Sequence, residues 1–504
     1  LSRRSFLAAG LYSGVPSLIP SLTPPASFGE PFTLGVASGD PDPGGFVLWT
    51  RLAPAPLAED GLGGMPEAPV PVHWQVSTDP AGKNVVRRGT QEAVREWAHT
   101  VHVEVTGLRP GRPYWYRFKA GTHLSPTGRA LTTPAPGTTA RPLRMAVCSC
   151  ANYQHGYFTA YAAIASERPD LVLNLGDYIY EQGSDQQLAP GGNVRDHQGA
   201  QAVTLADYRR RHALYKTDPD LRAAHAAAPW VVVLDDHEVL NNWTSLIPAE
   251  RRRAAFRAYY EHMPLRSGAR AGGAAVQLYR RLRWGDLAAL HVLDTRQYRD
   301  PHLCGAGFRS CTLPAGPSRT MLGLDQEQWL LDGLSRSRAR WDLIGQQVFF
   351  GQRDRDPGIE RLVRQDAWDG YTAARQRVTE GWIQAKARNV AVLTGDVHAH
   401  WAGNLVLDYD DPASRPIGAE FAVTSITSGG DGHDLDQAAD PLLAANPHLK
   451  LHLRHRGYLM LQVTPSALTA DFKILRYVSR PGAPAEKGAT LVLPDRGQGL
   501  TSST

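Results

Sequence analysis

Four short apolar runs in this chain each stop at a cluster of acids, imidazoles or amides. Leu171–Leu175 runs into Gly176-Asp177-Tyr178-Ile179-Tyr180-Glu181. Trp230–Leu234 runs into Asp235-Asp236-His237-Glu238-Val239-Leu240-Asn241-Asn242. Leu287–Leu293 meets Asp294-Thr295-Arg296, and Val390–Leu393 meets Thr394-Gly395-Asp396-Val397-His398-Ala399-His400. A short run apolar at nearly every position reads as a strand covered on both faces, and helical segments lie between these runs, so the pattern specifies layered α/β. Ligands in such folds bind outside the carboxyl ends of the strands. Four polar strand ends are therefore expected to converge on one site.

Upstream the periodicity changes. Val72–Val76 and Thr100–Val105 alternate, and Leu108-Arg109-Pro110 leads through Tyr114 and Tyr116 into a further alternating strand. That turn resembles the tyrosine corner of fibronectin type III sandwiches. Thr133-Pro134-Ala135-Pro136-Gly137 is a breaker cluster and reads as a linker. The expected organisation is a signal and spacer over 1–27, a β-sandwich domain over 28–137, a catalytic α/β domain over 138–480 and a tail over 481–504. Gly457–Val463 and Leu468–Tyr477 read as a closing hairpin, and Leu205–His225 as helical.

Arg3-Arg4 followed by a short apolar stretch, Leu7 to Pro20, resembles a twin-arginine signal, which implies the twin-arginine export machinery as a partner and a periplasmic or extracellular location. The stretch is too short and too broken by Pro and Gly to serve as a stable membrane anchor. A net charge of +5 over 504 residues is mild and shows no basic footprint for nucleic acid. In an exported chain Cys304 and Cys311, which bracket a short Gly-containing loop, are expected to form a disulfide. Cys148 and Cys150 are expected to face opposite sides of their strand and not to pair with each other.

Each polar cluster has a mundane counterpart. A Gly-Asp after a strand is often a turn, and a single His398 could be a core imidazole. Asp235-Asp236-His237-Glu238 is harder to explain so, because packed acids repel unless a cation or a base neutralises them. Hard carboxylate and amide oxygens suit calcium-like ions, whereas thiolate, phenolate and imidazole suit iron or zinc. A mixed set suggests a mixed-metal centre bridged by one carboxylate, and such centres hold phosphate oxygens.

In order, Gly-Asp-x-x-Tyr, Asp-Asp-His-Glu and Gly-Asp-x-His resemble the calcineurin-like metallophosphoesterase superfamily. Ser149-Cys150-Ala151-Asn152-Tyr153, Gly35-Val36-Ala37-Ser38-Gly39-Asp40-Pro41, Leu48-Trp49-Thr50-Arg51 and Trp368-Asp369-Gly370-Tyr371 narrow the resemblance to the PhoD-type alkaline phosphatase/phosphodiesterase family, from about residue 28 to 480. The resemblance implies an α/β/α metallophosphoesterase sandwich preceded by a fibronectin type III-like domain. It implies Fe3+ on Cys150, Asp177, Tyr180 and His398, and Ca2+ on Asp177, Asn242 and Asp396, with Asp236 added to the metal set. Asp177, His237 and Asp396 are the expected catalytic residues. The implied activity is hydrolysis of phosphate esters by a metal-bound hydroxide; the alternatives are a phospholipase D-like phosphodiesterase, a redox enzyme and a surface binding protein.

Overall fold

The computed structural model describes residues 28–138, 141–270, 272–313, 316–356, 358, 360–411 and 413–502. The twin-arginine segment lies outside them.

The apolar runs form strands as their composition requires. Leu143–Cys148, Leu171–Asn174 and Pro229–Val232 pair in parallel, and Ala288–Val292, Trp341–Gln346, Val390–Thr394 and Gly418–Ala422 form a second parallel set. The first set belongs to a ten-stranded sheet and the second to a seven-stranded one. The sheets lie face to face: a side chain at Gly345 would press on Leu173 and Leu175. Tyr161, on the helix Thr159–Glu167, packs on Trp230, whose register partner Val172 points away from Leu173. On the far side, the helices Leu324–Ser335 and Thr372–Gln384 set Leu330, Leu334, Val378 and Trp382 against Ile344 and Val392. Two sheets thus lie between the helical layers, where a three-layer α/β/α arrangement was expected. Strands apolar on both faces are satisfied equally by a helix or by a second sheet.

The expected helix over 205–225 is two helices, Leu205–Lys216 and Pro219–Ala227. Asp218 breaks it by capping the second, accepting the N–H groups of Asp220 and Leu221, with Pro219 in the first turn. The hairpin is present as Arg456–Val463 against Ala467–Leu475. Glu486–Pro494, within the segment read as a tail, is a strand that extends this hairpin.

Residues 28–137 are not separate from the rest. Val70–Ser77, Val85–Ala93 and Pro113–Ala120 form their own antiparallel sheet. Val36–Asp42, Gly45–Arg51 and Thr100–Val105 instead continue the ten-stranded sheet, because Ser38 and Gly39 pair in parallel with Pro229 and Trp230. Gly39 permits the approach: a Cβ there would sit 2.4 Å from the Pro264 carbonyl oxygen. Trp49 Nε1 donates to the Glu261 carbonyl at 3.0 Å, and the buried Arg51 guanidinium meets His262 Nε2 at 2.7 Å. Tyr114 is a corner residue, its hydroxyl accepting the Arg109 N–H at 3.0 Å and donating to the Arg109 carbonyl at 3.2 Å.

Candidate metal centre

The polar strand ends do converge. Asp177, Asp236, His237, Asn242, Asp396 and His398 line one cavity, with Cys150 and Tyr180 buried beside it. Donor atoms of Cys150, Asp177 and His398 lie within 4.8 Å of one another; so do those of Asp177, Asp236 and His237, and those of Asp235, Asp236 and Asp396. Asp177 is shared by the first two groups, and Asp236 by the last two. The Tyr180 hydroxyl joins the first, at 2.9 Å from Asp177 Oδ2 and 3.2 Å from His398 Nε2.

The backbone that presents these groups is unusual. Cys150, Asp177, Asn242, Asp396 and His398 have φ of 60, 52, 53, 63 and 54°. L-residues rarely adopt this left-handed region, and each such residue costs of order 1–3 kcal/mol. Gly176, at φ 94°, precedes Asp177, and a Cβ there would lie 2.4 Å from the Asp235 main-chain nitrogen. The Gly-Asp pair is therefore required by close packing of two ligand loops.

Cys148 and Cys150 do occupy different surroundings, but not through strand alternation, which puts residues two apart on the same face. The strand stops at Cys148, and the left-handed turn at Cys150 redirects the chain. Cys148 lies near Asn174, Tyr161 and other core groups, while Cys150 lies against Asp177 and His398. Burial and the neighbouring Asp177 push the Cys150 thiol well above its usual range. Cys304 and Cys311 are disulfide-bonded, as expected.

Several supports were absent from the expected residue set. Glu238 accepts the N–H groups of Tyr178 at 2.5 Å and Asp235 at 2.7 Å, joining two loops. Tyr215, from the helix Leu205–Lys216, accepts the N–H groups of Tyr153 and Tyr180 at 3.1 and 3.0 Å. Asp235 belongs to the acidic cluster. Arg296 is the base that four acids needed: it ion-pairs with Asp235, reaches Asp396 at 3.2 Å and Asp236 at 3.6 Å, and stands 4.0 Å from Asp366. The Asp294-Thr295-Arg296 strand end was the available signal; its partners were not, because they arrive from other strands.

One guanidinium does not satisfy this cluster. Asp235 Oδ2, Asp236 Oδ1 and Asp396 Oδ2 are buried without a hydrogen-bond partner. Burial pushes the Asp177 carboxyl well above its usual range against the pull of His237, and does the same to Asp235 against Arg296. Orphaned oxygens on three carboxylates of one cluster fit a bound cation.

The matches to known proteins define the class: this is a phosphoric ester hydrolase. The model of the PhoD-like phosphatase family matches residues 145–472, and that of the PhoD-like phosphatase N-terminal domain matches residues 20–134. Alkaline phosphatase D of Bacillus subtilis (strain 168) is 47% identical over 480 residues, covering 93% of this chain and 82% of the relative. A solved structure titled "Structure of PhoD" superposes with a TM-score of 0.92 at 46% identity, covering 95% of this chain and 93% of that one. The chain belongs to the PhoD-like phosphatase family.

Proposed function

We propose that the protein is an exported alkaline phosphatase and phosphodiesterase whose centre binds Fe3+ through Cys150, Asp177, Tyr180 and His398, and Ca2+ through Asp177, Asp236, Asn242 and Asp396. The observation that carries this reading is the donor set: a thiol, a phenol and an imidazole meet at one carboxylate, and that carboxylate also borders an acidic cluster with orphaned oxygens. Soft and aromatic donors suit iron, and oxygen donors suit calcium. Bound there, the ions would neutralise phosphoryl oxygens and acidify a water.

The chain's own groups supply the rest. Arg296 draws Asp235, Asp236 and Asp396 together, which keeps the three carboxylates in one cluster. His237 Nδ1 is 2.7 Å from Glu181 Oε2, which leaves Nε2 to donate a proton to the departing ester oxygen. Within this reading, the sheet of Val70–Ser77, Val85–Ala93 and Pro113–Ala120 is the fibronectin type III-like part of residues 28–137, supported by the Tyr114 corner, and the metallophosphoesterase domain begins at 138 and runs on through the strand Glu486–Pro494. Export by the twin-arginine route rests on Arg3-Arg4, with the Cys304–Cys311 disulfide in accord. No described helix is long and apolar enough to cross a membrane.

The test combines metal analysis with colour. Thiolate and phenolate on iron should colour the pure protein; Cys150→Ser should bleach or shift the band and Cys148→Ser should not. A calcium-selective chelator should abolish turnover of 4-nitrophenyl phosphate while the colour persists, and added calcium should restore it. A colourless enzyme holding only zinc, or full activity without calcium, would overturn the assignment.

A further inference from the structure

The carboxylates of the metal centre occupy part of a cavity of about 680 Å³ that five arginines also line: Arg353, Arg355, Arg364, Arg454 and Arg456. Some of these are engaged. Arg364 forks onto Asp366 at 2.8 and 3.1 Å. Arg456 donates to Ser425 Oγ at 2.7 Å and to the Ser428 carbonyl at 2.6 Å.

Arg353 is different. It is only 7% exposed, its Nε is buried with no hydrogen-bond partner, and no ion pair to it is found among the described residues. Around it stand the rings of Phe349 at 4.8 Å and of Trp401 and Phe308 at 5.4 Å each. Asp369 is close enough to hold it but is otherwise committed. Its Oδ2 accepts the Arg353 main-chain N–H at 3.0 Å, and its Oδ1 accepts the Arg375 guanidinium at 2.7 Å. The Asp369 carboxylate therefore anchors the backbone of Arg353 without pairing with its guanidinium, on which Asp396, Asp369 and Glu420 act only at a distance. This gives a purpose to Trp368-Asp369-Gly370-Tyr371, which the metal chemistry does not use; a Cβ at Gly370 would sit 2.0 Å from the Gln365 carbonyl oxygen, so the turn that presents Asp369 depends on glycine.

A buried guanidinium without a directly paired anion is costly, and aromatic faces recover only part of the cost. Burial and the nearby Arg364 lower its pKa to about 10, which still leaves it charged at neutral pH. A guanidinium is a rigid fork matched to oxyanions. The exposed Arg355 lies 4.5 Å from the Phe308 ring and extends the positive lining outward.

We propose that Arg353 binds a second oxyanion of the substrate, a carboxylate or phosphate on the leaving group, and so selects phosphoesters that carry a negative charge beyond the one being cleaved. The selection rests on the proposed metal centre taking the reacting phosphate.

The test uses paired probes that differ only in the second anion. Affinities of 4-phosphonobutanoate and butylphosphonate, neither of which can be hydrolysed as an ester, are measured calorimetrically on the metal-loaded protein and on Arg353→Met and Arg353→Lys. The native protein should bind the carboxylate-bearing probe about tenfold tighter, as a charge-assisted pair predicts. Arg353→Met should erase most of that preference, and Arg353→Lys should keep part of it. With the corresponding phosphate esters, the loss in kcat/KM for Arg353→Met should be about tenfold larger on the carboxylate-bearing ester and should appear in KM. An absent preference in the native protein, or equal losses on both probes, would overturn the proposal. Should Arg353→Met fail to fold, Arg353→Lys decides on the same criterion. A native protein that shows the preference yet hydrolyses neither ester would refute the hydrolase reading and leave Arg353 as an anion receptor.

Discussion

His237 is a buried imidazole among carboxylates. Burial works against its charge, but Glu181, Asp177 and Asp236 outweigh it and raise its pKa well above the ordinary value. Asp177 and Asp236 are spent on metal in the proposed centre, so Glu181 is the partner that would hold the His237 proton as pH rises and a water nucleophile ionises more readily. Glu181→Gln removes the nearest negative partner and lowers the His237 pKa. The expected outcome is a pH–rate profile whose alkaline limb moves to lower pH, with a larger loss on alkyl phosphates than on 4-nitrophenyl phosphate, whose leaving group needs no proton. An unmoved alkaline limb would remove His237 from the proton-donor role. At this scale the sequence was informative where chemistry follows from residue type. Asp177, Asp236, Asp396 and His398 stood out because acids and imidazoles after buried strands are rare without a purpose; Cys150, Tyr180 and Asn242 were added by the family resemblance, and the structure brings all seven to one cavity and its buried wall. What composition does not carry is conformation and long-range pairing. The left-handed backbone of five of these residues and the placement of Arg296 among acids from three other segments exist only once the strands are assembled.

One small element controls a wall of the cavity. Phe308–Arg309 pairs antiparallel with Val363–Arg364, Phe308 opposite Arg364, and both of those residues line the cavity. The disulfide between Cys304 and Cys311 closes the loop that carries Phe308. A cross-link over so short a loop stabilises by about 2 kcal/mol in the chain-entropy account, and its effect should stay local. The double variant Cys304→Ser, Cys311→Ser is expected to raise KM several-fold while metal content and colour stay native; an unchanged KM would show that the strap does not shape the wall. Among elements, the buried strands were legible from their nearly continuous apolar runs, and the second strand of the closing hairpin from its alternation of buried and half-buried positions. The helix break at Asp218-Pro219 had a signal that periodicity overrode. The strand Glu486–Pro494 carries its signal only in its second half, where Leu491 and Leu493 are buried, while its first half is half-buried to exposed; it is held in place by Ala467–Leu475.

At the scale of the molecule, the N-terminal and catalytic regions share one sheet. Trp49 and Arg51 fasten the joint through Glu261 and His262, and Arg280 closes it further, donating to Asp40 Oδ1 at 2.7 Å and to the Val232 carbonyl at 3.0 Å. Deleting residues 28–137 would strip the strand Pro229–Val232 of a neighbour and leave an apolar open edge, which invites aggregation. The expected result is that residues 138–504 alone are insoluble or unfold without cooperativity, whereas the full chain unfolds in a single calorimetric transition; a soluble, cooperatively folding fragment would show that the shared sheet is dispensable. The boundary at 137 was readable as a change of pattern, but the pairing across it was not, because a strand's neighbours are set by topology and not by its own residues. The same joint orders events in time. Val36–Asp42 leaves the ribosome well before the strand it must lie beside, which is made about 190 residues later. Folding as the chain emerges can finish the outer antiparallel sheet, but Val36–Asp42 has to wait for Pro229–Val232, so this protein becomes native late and all together.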